Sequence, residues 1–222
     1  MHRLTGGLLT AFLLCLGTGS FGQLGSVDSR DTEGATPLMR AAQNGDFERL
    51  KALLARGADV NATSKTSATA LMVAAYHGSL PCLKALIAAG ADVNSKTKLG
   101  DTALIAASEM GQLDCLRALI AAHADVNAKN LGGWSSLAFA ASKGRLACLN
   151  ALLAARADVN SRDHYGRTAL IETALMGRED CVRALIAAHA DVSARDKGGW
   201  TSLSLTKSPA VAALLRSAGE KR

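Results

Sequence analysis

Four cysteines, Cys82, Cys115, Cys148 and Cys181, recur at intervals of 33 residues. Thiols spaced so regularly suggest a disulfide framework or a metal site. If each interval is one stacked unit, geometry excludes both. Equivalent positions on packed helices lie about 8–10 Å apart, whereas a disulfide needs Cα atoms within about 7 Å. Four sulfurs in a line cannot surround one metal ion tetrahedrally. Each cysteine directly precedes a Leu or Val of an apolar helical stripe, where it acts as a small apolar side chain. His123 and His189 stand two intervals apart, about 20 Å in a stack, so they cannot share a ligand. His77 and His164 have no nucleophile or ordered acid beside them. The chain carries no phosphate-cradling Gly loop, G-x-S-x-G turn, H-E-x-x-H helix or C-x-x-C pair. The expectation is no catalytic residue, no metal site, no disulfide and no cofactor.

These residues are positioned by a repeat. The stretch Thr69–Asn94, TALMVAAYHGSLPCLKALIAAGADVN, returns at Thr102–Asn127, Ser135–Asn160 and Thr168–Ser193, and is recognisable at Thr36–Asn61. Its first residues, Thr36, Thr69, Thr102, Ser135, Thr168 and Thr201, fall 33 apart without insertion. A fixed period of that length signals a solenoid. In each unit a short Ala-rich helix ends at a Gly (Gly45, Gly78, Gly111, Gly144, Gly177) and a longer helix follows. The longer helix has one apolar face: Leu83, Leu86 and Ile87; Leu116, Leu119 and Ile120; Val182, Leu185 and Ile186. Its outer side sets acid and base three residues apart, at Glu48–Lys51, Asp114–Arg117 and Asp180–Arg183. Asp residues of the recurring Ala-Asp-Val turn should bond local backbone. A unit this small cannot cover both sides of its helices, so neighbours must stack.

Asp31, Gly34, Thr36-Pro37-Leu38 and Gly57-Ala58-Asp59-Val60-Asn61, with Ala-Asp-Val again at 91–93, 124–126, 157–159 and 190–192, resemble the motifs of ankyrin-repeat proteins. The resemblance runs from Asp31 to about Gly219. It implies an all-α ankyrin-repeat solenoid, helix-turn-helix pairs with β-turn hairpin fingers in an elongated curved stack. The repeats would span 31–63, 64–96, 97–129, 130–162, 163–195 and a shortened 196–219, with 220–222 a tail. Two departures from the family pattern stand out. The His that ties neighbouring repeats is replaced by Met39, Met72, Ile105, Ala138, Ile171 and Ser204, which implies more reliance on apolar packing. The Gly closing the longer helix becomes His123, Arg156 and His189, which must adopt a backbone conformation better suited to Gly.

Only 4% of the 222 residues are aromatic, which suits thin stacked helices rather than a globular core. The formal charge is +6. Its cations are scattered through the repeats and not gathered into a stripe with interleaved aromatics, so nucleic acid is not the expected partner. Met1–Gly22 has a short polar start with Arg3, an apolar run from Leu4 to Leu16 and small residues at Ser20-Phe21-Gly22. That is the pattern of a secretory signal peptide cleaved near Gly22. The run is shorter than the roughly 20 residues a bilayer span needs, and Leu14 before Cys15 fits a lipoprotein box poorly. Residues 23–30 read as a linker. The chain is therefore expected to be exported, periplasmic or secreted, free of the membrane after cleavage, and monomeric. Free thiols would equally suit a cytoplasmic protein. Arg40 and Arg49 mark the first repeat as a cap. In the last, Ser208 should cap a helix starting at Pro209, with Leu214-Leu215 as its buried pair.

The resemblance places the binding groove on the turn tips and the exposed ends of the short helices. The tips carry Lys65, Lys98, Leu99, Leu131, Trp134, His164, Tyr165, Arg167, Lys197 and Trp200. The short helices carry Tyr76, His77, Met110, Lys143, Leu175 and Met176. Large apolar side chains on turn tips have no core to fill, and Trp, Tyr and Arg commonly anchor interfaces. The resulting expectation is a non-enzymatic module binding another protein through its concave face, centred on Leu131, Trp134, Tyr165 and Trp200. A protective or inhibitory partner of an exported enzyme is one form of it, by family analogy alone. The alternatives are a cytosolic scaffold with a misread leader, an enzyme with a hidden groove site, and tip aromatics that merely pack on neighbouring turns.

Overall fold

A computed structural model describes residues 26–219; the leader and the tail fall outside them. The hydroxyls of Thr36, Thr69, Thr102, Ser135, Thr168 and Thr201 each start a helix. Their backbone is extended and each Oγ accepts the amide hydrogen three residues on, which satisfies one orphan donor of the first turn. Six inner helices follow: α1 Pro37–Asn44, α3 Ala70–His77, α5 Ala103–Met110, α7 Ser136–Ser142, α9 Ala169–Leu175 and α11 Ser202–Leu205. Each leads into an outer helix: α2 Phe47–Ala55, α4 Leu80–Ala88, α6 Leu113–Ala121, α8 Leu146–Ala154, α10 Glu179–Ala187 and α12 Pro209–Gly219. Every inner helix packs on the next inner one, every outer on the next outer, and each pair on itself. This is the expected all-α solenoid. Alanines line the inner helices, where small side chains permit close helix approach.

The core is one continuous apolar strip. Leu83 and Leu86, Leu116 and Leu119, Leu149 and Leu152, and Val182 and Leu185 are buried, while Ile87, Ile120 and Ile186 pack half-buried at its border. Burying one such side chain contributes about 1.5–3 kcal/mol. Met39, Met72, Ile105 and Ile171 fill the interior at the former His position. Ala138 is half-buried there, and Ser204 is exposed in the last repeat. His123, Arg156 and His189 do take the left-handed conformation, at φ 62°, 61° and 63°. Ser67 takes it too, at φ 62°, where the other fingers have glycine.

Polar ties between repeats are periodic as well. In the fingers the amides of Lys65, Lys98, Leu131, His164 and Lys197 donate to the carbonyls of Glu33, Thr66, Leu99, Gly132 and Tyr165 at 2.7–3.2 Å. Isolated bridges at Lys129–Ser135 and Arg162–Thr168 close two of the hairpins. In the Ala-Asp-Val turns each Asp accepts locally, as at Asp59 Oδ1 from the Asn61 amide (2.9 Å). The Asn then reaches across. Asn61, Asn94, Asn127 and Asn160 accept the amides of Asp92, Asp125, Asp158 and Asp191 at 2.8–2.9 Å. Asp28 plays that part for Asp59 (3.1 Å), and Val27 packs on the core. The end of the 23–30 segment is thus folded onto repeat one.

Three of the scattered cations also tie repeats together: Arg30, Lys129 and Arg162 donate respectively to the carbonyls of Thr63, Arg162 (2.9 Å) and Arg195 (2.6 Å), each 33 residues on. Two expectations are corrected. Arg183 pairs with Glu179 at 2.6 Å, one helical turn back, and not with Asp180. Among the described residues Glu48–Lys51 and Asp114–Arg117 do not reach ion-pairing distance, because solvent competes for exposed charges. Ser208 Oγ does cap α12, accepting from the Val211 amide (3.3 Å), but the buried pair is Val211 and Leu215. Four-residue spacing keeps those two on one face, and Leu214 sits half-buried at its edge.

Leu119 is completely enclosed. Leu119→Ala should cost about 2–5 kcal/mol in chemical unfolding, and a loss below about 1 kcal/mol would contradict its place in the core.

Candidate interaction surface

One side chain in each finger fixes the backbone of the tip. Asn130 Oδ1 accepts the amides of Gly132 and Trp134 at 3.0 Å. Asp163 Oδ1 takes those of Tyr165 and Arg167 at 2.8 Å, and Asp196 Oδ1 those of Gly198 and Trp200 at 2.9 Å. Thr97, Ser64 and Asp31 do the same earlier in the stack. The tip residues Leu131, Trp134, Tyr165, Arg167 and Trp200 therefore ride on turns braced twice, and little backbone freedom remains to be lost on binding.

The finger ladder lines the tips up in order. Tyr165 is 67% exposed, Leu131 64%, Trp200 54% and Met176 45%, and His164 is also exposed. Leu99, Met110, Trp134, Lys143 and Arg167 are half-buried, and Tyr76 is buried. Trp134 leans on Phe139 of α7, centroids 5.0 Å apart, so this indole packs locally while Trp200 faces solvent. Phe139 escaped the sequence reading. Its only signal is an aromatic where other repeats place Val73, Ala106 or Glu172.

The inner face also holds three buried acids that the sequence reading missed: Asp101, Glu109 and Glu172. Glu109 pairs with Lys143 at 3.4 Å, and Arg145 Nε donates to the Glu109 carbonyl at 3.3 Å. Burial pushes the Glu109 carboxyl above its usual range, only partly offset by Lys143. Arg167 pairs with Glu172 at 2.8 Å and Asp196 at 3.5 Å, joining the fifth and sixth repeats, and lies 5.9 Å from the Tyr165 ring. The hydrogen bond to Glu172 raises the Arg167 pKa, against the opposing pull of burial. Asp101 Oδ1 accepts from Asn130 Nδ2 at 2.9 Å, but its buried Oδ2 has no partner among the described residues. Burial pushes this carboxyl up as well.

The four repeat thiols are free and buried. Burial, aided by the Asp114 charge, pushes Cys115 up to about 11, and burial likewise raises Cys148 and Cys181. Among the described residues no three His, Cys, Asp or Glu converge on a metal position, and no helix is long and apolar enough to cross a membrane. A family model described as ankyrin repeats (3 copies) matches residues 8–97, 38–130, 71–163 and 137–217. No curated protein matches the chain.

A raised carboxyl pKa means that the charged form is penalised in the fold, and the penalty is relieved on protonation. Asp101→Asn keeps an acceptor oxygen for Asn130 and removes the charge. It should stabilise the protein near pH 7 by removing that penalty. In denaturant titrations the gain should narrow as the pH falls toward the unfolded value of 3.8. Destabilisation near pH 7 would contradict the assignment.

Proposed function

Because the chain belongs to the ankyrin-repeat family, we propose that it is a non-enzymatic protein-binding module that works through the tips and inner helix ends of repeats four to six. One observation carries this reading. Of the six large apolar side chains exposed among the described residues, four (Leu131, Tyr165, Met176 and Trp200) sit on that edge; Phe47 is on α2, and Leu203 lies on the end face of the stack, at the position where the other repeats bury Leu38, Leu71, Leu104, Leu137 and Leu170. Exposed apolar side chains gathered on a rigid frame favour protein contact. Trp134, His164 and Arg167 belong to the same fingers, with Leu99, Met110 and Lys143 toward the middle of the stack; Tyr76, being buried, contributes as support beneath it. The leader pattern of Met1–Gly22 supports export, to a periplasmic or extracellular setting, and an inhibitory or protective role toward an exported enzyme is compatible with such an edge.

The test is a Leu131→Ala/Tyr165→Ala/Trp200→Ala variant. Partner proteins captured from the native source should bind it at least about tenfold more weakly, with Tm moving by only a few degrees, since exposed sites contribute little to folding. Unchanged capture, or a large loss of Tm in place of capture, would defeat the proposal.

A further inference from the structure

Resting on that reading, we propose that the edge of repeats four to six takes an acidic, extended segment of its partner, with apolar side chains between the acids. The argument is charge balance at the fingertips. Lys129, Arg162, Arg195 and Lys197 are all exposed there. The acids in the same turns are Asp163 and Asp196, both half-buried, each with Oδ1 held by two backbone amides. Glu172, behind them, is buried against Arg167. The cations thus remain uncompensated beside Leu131, Tyr165 and Trp200.

Two of them are also pre-positioned. Arg162 Nη1 donates to the Gly166 carbonyl at 2.8 Å and the Arg195 carbonyl at 2.6 Å, and Arg195 Nη1 to the Gly199 carbonyl at 2.9 Å. Each guanidinium is pinned through one nitrogen, and Nη2 of each has no partner among the described residues. A fixed guanidinium with a free N–H edge suits a carboxylate. Three fingers span about 20 Å, the reach of roughly six extended residues. Tyr165 and Trp200 are the aromatic faces of this row, and Leu131 and Met176 beside them are aliphatic or nearly so; a row of mixed aliphatic and aromatic contacts suits the side chains of a peptide better than a run of stacked bases.

The probe is a phage-displayed library of random peptides about 12 residues long, selected on the full chain and counter-selected on the Leu131→Ala/Tyr165→Ala/Trp200→Ala variant. Peptides that depend on the row should be rich in Asp and Glu alternating with Leu, Phe or Trp. In anisotropy titrations they should bind about tenfold more weakly to Lys197→Glu, whose side chain makes no hydrogen bond among the described residues, and more weakly again as salt rises. Neutral or basic row-dependent peptides, or indifference to the charge reversal, would overturn the acidic assignment and leave the row itself standing. Oligodeoxythymidine binding more tightly than the peptides would overturn it in favour of nucleic acid. Recovery of no row-dependent peptide would also overturn it, and the capture experiment with the triple variant then decides the fate of the row separately.

Discussion

Each repeat here has no interior of its own; what covers its apolar helices is the next repeat in register. Leu83 and Leu86, Leu116 and Leu119, and their counterparts are buried only because the units stack without a missing or extra residue. The polar ties obey the same register. Finger amides, turn asparagines and three of the cations all pair residues separated by one period or close to it. A shift of one residue anywhere would unseat all three ladders and turn an apolar face outward. That constraint explains the even length of the units, and it leaves variation only where no neighbour is touched.

The architecture was legible because apolar spacing within a helix and glycine at a helix end are local signals. The identity of the long-range ties was not. Asn94 accepting from Asp125, or Arg162 donating to Arg195, joins residues on different units. In a linear reading such residues look like ordinary turn polars or scattered surface charge. Asp101, Glu109 and Glu172 were missed for a related reason. Each is a carboxylate in a column otherwise held largely by small or apolar residues, and its burial depends on what the next repeat places over it.

The candidate edge shows how far position in a repeat decides environment, and where it stops. Trp134 and Trp200 occupy equivalent sites on equally braced turns, yet one rests against Phe139 and the other lies open. The difference comes from α7, where Phe139 stands, against Leu205 at the corresponding place in α11. Reading the tips as one set predicts which side chains can face a partner. The residue four places into the inner helix then decides which of them do.

Among the described residues the sixth unit has a neighbour on one flank only, and its inner helix is a single turn of four residues, Ser202–Leu205. In a chain of nearest-neighbour couplings a unit held on one side has fewer interfaces to stabilise it. Trp200 and Lys197 are carried by that unit on a turn braced like the others, whereas Leu131 sits two units inward. Whatever settles across these fingers would act as a clasp, fastening the fringe of the solenoid to its firmer middle.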